Sequence, residues 1–142
     1  MSDNKPFHKR KFPLPLTVGD IAELKTIAQD KQLDSARFNY HESDEAPLHK
    51  MLIYMPKTLK ERIHVHNDKD EIILIEEGEI AINIYDEELN LKETRTLTPS
   101  ENKSFIISKG TIHSVNITSA TGVFIEIAQG PFRPDMTKWY TR

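Results

Sequence analysis

Across residues 79–85 of this chain, Ile80, Ile82 and Ile84 alternate with Glu79, Ala81, Asn83 and Tyr85. A period of two sends the isoleucines to one face of a strand and their neighbours to the other, a pattern that a helix cannot use. The same period sets in at Arg37 and persists, in short β-rich segments separated by turn-like clusters roughly every 8–12 residues. Strands are expected at 51–55, 60–66, 71–75, 79–85, 92–97, 105–108, 112–117 and 123–128, with turns at 55–58, 67–70, 86–90, 99–103 and 118–122. That many short strands in 142 residues predict one all-β sandwich or barrel around a single core.

One helix precedes the strands. Thr17 and Asp20 make an approximate capping box, and Ile21, Leu24, Ile27 and Ala28 follow at helical spacing, which predicts a short amphipathic helix over about 18–31. Residues 1–16 hold three prolines and a basic cluster at 8–11, so they read as an extended arm, with fraying expected over residues 1–5. The expected organisation is therefore an arm, 1–16, and one domain, 17–142.

Charge and composition narrow the partners. With 19 basic and 22 acidic residues and no dense Lys/Arg stripe, the chain is not built to bind nucleic acid or an anionic membrane through charge. No run approaches the ~20 apolar residues of a membrane helix, and the first thirty residues lack the order of a secretion signal, so a cytoplasmic protein with a small-molecule ligand is expected. There is no cysteine, which leaves nitrogen and oxygen as the only metal donors.

Those donors are present. The segment HVHNDKDEIILIEEG sets His64, His66, Glu71 and Gly78 in the spacing H-x-H-x4-E-x6-G. On a strand, His64 and His66 share a face, with Arg62 on the same face and Ile63 and Val65 on the other. Glu71 opens the next strand, and an antiparallel return is expected to bring its carboxylate level with the imidazoles. Two imidazoles and a carboxylate suit iron, manganese, nickel or zinc, and His113, just past the Gly110 turn, is the expected fourth ligand. The plainer reading is a set of barrel-lining polar groups satisfied by one another or by water.

These residues carry a resemblance to the cupin superfamily, whose motifs are G-x5-H-x-H-x3-4-E-x6-G and G-x5-P-x-G-x2-H-x3-N. His64, His66, Glu71 and Gly78 match the first, and Gly110 and His113 the core of the second. Thr58, Asn102, Ser108 and a displaced Asn116 depart from the pattern, all at turns or strand ends. From Ile21 to Trp139 the chain also resembles the small cupin-fold metalloproteins of the WbuC type, through SARFNYHES, HVHNDKDE, IISKGTIHSV and EIAQGPF. That family is associated with bacterial O-antigen and surface-polysaccharide gene clusters. The resemblance implies a double-stranded β-helix, or jelly roll, with one divalent transition metal per chain held by His64, His66, Glu71 and His113, and a homodimer.

Further roles are expected around that group. Arg37, Asn39 and His41 alternate in RFNYH and are expected to contact a ligand, and Arg62 to hold a carboxylate or phosphate. A sugar or sugar-nucleotide isomerisation or epimerisation would need a base, for which His41 is the candidate. The alternatives are an Fe(II)-dependent oxygenase and a non-catalytic sugar-binding or regulatory module. Tyr54 and Phe124 are expected in the core, and Asp68, Asp70, Glu76 and Glu77 on a solvated face, with Asp70 a ligand only in a different turn register. Gly78 and Gly110 are expected at turns with positive backbone angles, and Trp139 and Tyr140 docked on the barrel or a partner chain.

Overall fold

The computed structural model describes residues 7–141, so the fraying expected over residues 1–5 lies outside the described residues. The elements run β1 (Phe7–Arg10), α1 (Val18–Asp30), β2 (Ala36–Asn39), β3 (Leu48–Pro56), β4 (His64–His66), β5 (Glu71–Glu77), β6 (Ile80–Tyr85), β7 (Leu91–Leu97), β8 (Ser104–Ile107), β9 (Ile112–Ile117), β10 (Thr121–Gln129) and β11 (Thr137–Trp139). Two sheets face each other, one ordered β1-β2-β3-β10-β5-β8 and the other β11-β4-β9-β6-β7. Together they make the all-β fold that the period of two predicts, in the jelly-roll form that the cupin resemblance implies.

Burial follows the alternation. Ile53, Ile73, Ile75, Ile80, Ile82, Leu97, Ile107, Ile117 and Phe124 meet between the sheets. The opposite faces of β2, β3 and β10 give Phe38, Leu52, Tyr54 and Val123 to a second cluster, which Leu24 and Ala28 of α1 cover. Tyr54 therefore packs under the helix while Phe124 packs inside the barrel. The capping box is present: Thr17 Oγ1 accepts from the Asp20 amide at 3.2 Å, and Asp20 accepts from the Thr17 amide at 3.2 Å. Among the described residues, no helix is long and apolar enough to cross a membrane.

Besides β2, which lies outside the expected strands, three elements differ from expectation. Part of the proline-bearing arm is β1, which pairs in parallel with β2. The strand expected over 60–66 shrinks to His64–His66. Its first half is drawn across the outer face of the second sheet, where the Glu61 carboxylate accepts from Asn83, Tyr85 and Ser114. Finally, β11 adds an edge strand beyond β4, pairing Thr137 with His66 and Trp139 with His64.

Candidate metal centre

His64 and His66 stand on β4 with Val65 buried behind them, and His113 lies opposite His64 on the neighbouring β9. Glu71 arrives differently from the expected antiparallel return. Strand β5 belongs to the other sheet, so the 67–70 turn crosses the barrel and Glu71 faces the histidines across its mouth. Asp70 is held within that turn, accepting from the Lys109 amide at 2.8 Å, and so does not compete with Glu71 as a ligand.

One ligand atom from each of His64, His66, Glu71 and His113 lies within 4.8 Å of every other. Glu71 Oε1 is 3.2 Å from His66 Nε2 and 3.4 Å from His113 Nε2. Every imidazole is fixed through its other nitrogen. His64 Nδ1 meets the Arg62 carbonyl at 3.0 Å and His113 Nδ1 the Thr111 carbonyl at 2.8 Å. A carbonyl only accepts, so both Nδ1 atoms carry the proton and both Nε2 atoms present lone pairs inward. His66 Nδ1 is held by the Thr137 hydroxyl at 2.8 Å. This is the outer support that orients metal-ligating histidines.

The electrostatics of His64 agree with that assignment. Burial, with His113 and His66 close by, lowers His64 to about 4, which keeps it neutral at pH 7. Burial pushes the Glu71 carboxyl up, and it is the proton-bearing forms of His113 and His66 that outweigh this and hold the group well below the usual carboxylate range, so an ionised Glu71 calls for a cation facing it. Glu71 Oε1 and His113 Nε2 are buried without a hydrogen-bond partner. A group of three imidazoles and one carboxylate with orphaned inward atoms fits a divalent transition metal.

The group forms one wall of a cavity of about 750 Å³, lined also by Arg37, Arg62, Lys69, Phe124, Glu126 and Trp139. Arg62 lies over the Trp139 ring at 4.3 Å, and that ring is 4.5 Å from the His64 ring. Trp139 thus docks on its own barrel, half-exposed. Asn39 and His41 are not in the lining. His41 stacks on His49 at 3.9 Å and accepts the Lys50 amide at Nδ1, while Asn39 is buried. The base expected at His41 is therefore outside the cavity.

A different acid occupies the wall. Glu126 on β10 pairs across to Met51 and Ile73 and is pushed up to about 7 by burial and by Glu71, against Arg37 and Lys69. Its sequence signal is a carboxylate at an inward position of the alternating run VFIEIA. Thr137 and Trp139 gave no such signal, because β11 is three residues long and pairs with a strand some seventy residues earlier.

The same fold recurs in solved proteins. BH2720 from Bacillus halodurans matches with TM-score 0.63 at 20% identity, covering 89% of each chain. KdgF from Halomonas sp. matches with TM-score 0.55 at 19% identity, over 72% of this chain and 84% of that one. The capsular polysaccharide assembling protein CapF from Staphylococcus aureus matches with TM-score 0.59 at 16% identity, over 73% of this chain and 28% of its own length. These likenesses establish the cupin fold. No curated protein matches the sequence. The profile of a domain of unknown function, DUF6016, matches residues 16–97, from the helix through β7 and across three of the four inward ligands, and the chain belongs to that family.

Proposed function

We propose that this chain is a metal-binding cupin-fold protein acting on a sugar or sugar-nucleotide intermediate of bacterial surface-polysaccharide synthesis. The observation that carries the metal is the inward set of bare Nε2 atoms around Glu71 Oε1, held in the wall of a ligand-sized cavity. A divalent transition metal held by His64, His66, Glu71 and His113 would supply Lewis acidity toward a carbonyl or hydroxyl oxygen of the bound molecule.

The chain's own residues supply the rest. Glu126, pushed up to about 7, is able to give or take a proton near neutral pH, the work first expected of His41. Arg62 and the half-exposed rings of Phe132 and Trp139 border the entrance and give a sugar ring one polar and two apolar contacts. The polysaccharide setting rests on the resemblance of 21–139 to the WbuC type, and the fold likeness to a capsular polysaccharide assembling protein is consistent with it.

Elemental analysis of the full chain, purified without added metal or chelator, tests this reading against a His64→Ala/His113→Ala double variant. Near-stoichiometric metal in the native protein and none in the variant is the expected result. No metal in either, even after reconstitution, overturns it and leaves a binding module. Resident iron with oxygen consumption that Zn(II) does not support would replace the sugar chemistry with an iron-dependent oxygenase.

A further inference from the structure

Five basic side chains line the cavity, Arg37, Lys57, Lys60, Arg62 and Lys69, against the three carboxylates Asp34, Glu71 and Glu126. Of the twelve described basic side chains outside the cavity, Lys9, Arg10, Lys11, Lys25 and Arg95 have carboxylate partners and the other seven have none within 4.0 Å among the described residues. None of the five in the cavity has one within 4.0 Å among the described residues. The cavity therefore holds an excess of two basic over acidic side chains, none of the five engaged in a direct ion pair among the described residues.

Arg37 is the most committed of these cations. It stands on β2 opposite Ile53, whose other neighbour is Phe124, so it shares the inner face of the first sheet with Glu126 one cross-strand row away. Its Nη1 points to Met51 Sδ at 3.5 Å. Its Nε is buried and has no acceptor. With Nη1 turned to sulfur, the free side of the guanidinium is the Nε and Nη2 edge, whose two parallel N–H bonds match two oxygens of a carboxylate or phosphate. A buried donor of this kind calls for an acceptor, and the chain supplies none.

We propose that Arg37 binds an anionic oxygen group, carboxylate or phosphate, on the molecule that enters this cavity. The proposal rests on the cavity being the ligand site and adds the charge class of that ligand. Lys57, Lys60 and Lys69 draw the anion in from the rim, while the Arg37 fork fixes its orientation relative to Glu126 and the histidines.

The test uses the full chain and the ¹H–¹⁵N signal of the Arg37 Nε–H, assigned by through-bond correlation to the Arg37 side chain and checked by its loss in Arg37→Lys. Inorganic phosphate and acetate are titrated separately, with chloride at matched ionic strength as control, on metal-free and on zinc-treated protein. A saturable shift of that signal and of the Met51 methyl with phosphate or acetate, absent with chloride, is expected in the metal-free form. A response to phosphate alone assigns a phosphorylated ligand, and one to acetate alone a carboxylate. Arg37→Lys, which keeps the charge but loses the fork, is expected to weaken binding about tenfold. The native titration stands without the variant if Arg37→Lys fails to fold. No saturable shift with either anion overturns the proposal. So does a Met51 methyl shift seen only with zinc and retained in Arg37→Lys, which would put the anion on the metal. Failure of the elemental analysis with the Arg37 response intact removes the metal reading and leaves this one standing.

Discussion

Two of the buried carboxylates among the described residues, Asp20 and Glu71, are treated in opposite ways. Asp20 accepts from the Tyr40 hydroxyl at 2.6 Å, from Lys11 Nζ at 3.0 Å and from the Thr17 amide at 3.2 Å. Glu71 Oε1 faces imidazole lone pairs and has no donor. Leaving such an atom unpaired costs about 1–3 kcal/mol, a cost that a metal ion bound in front of it would offset. Asp20 does structural work, and its contribution depends on pH. Burial raises its pKa, but Tyr40, Lys11 and the Thr17 amide outweigh that and lower it from 3.8 to about 2. Because the folded value lies below the unfolded one, the stabilisation is complete above the unfolded pKa and is lost as pH falls through 3.8 toward 2. The drop corresponds to about 2 kcal/mol. Urea denaturation is therefore expected to show the native chain losing about 2 kcal/mol more than Asp20→Asn between about pH 5 and pH 2. Equal pH slopes in the two proteins would remove Asp20 from the acid stability of the fold.

At the scale of elements, the two positive-φ glycines separate backbone conformation from packing. Gly78, between β5 and β6, has φ +86°, and a Cβ there would stand 2.5 Å from the Thr121 carbonyl oxygen. Gly110, before β9, has φ +81° and open space around the same position. Chemical denaturation is expected to show Gly110→Ala costing about 1 kcal/mol and Gly78→Ala about 3 kcal/mol or more, since only the second adds overlap to conformational strain. Equal costs would show that the β5–β6 turn yields where its neighbours leave no room. Both glycines were legible in the sequence as turn residues, and so were the isoleucine alternation of β6, the capping box of α1 and the four inward ligands. Local periodicity and local spacing encode all of these. What was not legible depends on partners distant in sequence. Nothing in the 60–66 segment announces that Glu61 will pull it across the outer sheet face, or that Glu71 will reach its histidines from the opposite sheet. His41 is placed by a distant partner too: the alternation of RFNYH is real, but His41 ends stacked on His49, outside the lining of the cavity.

For the molecule as a whole, the last strand completes the first half of the ligand set. Thr137 orients His66 across a separation of 71 residues, and Trp139 lies against His64. An arrangement that needs so long a loop to close forms late, after the more local pairings of the barrel. A metal bound there would therefore meet its full ligand set only in the finished protein and would leave the folding transition state almost unchanged. At free metal a hundred times its dissociation constant, the gain of about 2.7 kcal/mol would fall almost wholly on the unfolding limb of a chevron plot, slowing unfolding about a hundredfold. A folding limb that quickened with metal would put the centre in the nucleus instead. With the expected result, resistance to heat or protease becomes a matter of how slowly the protein opens, and the supply of metal sets its lifetime.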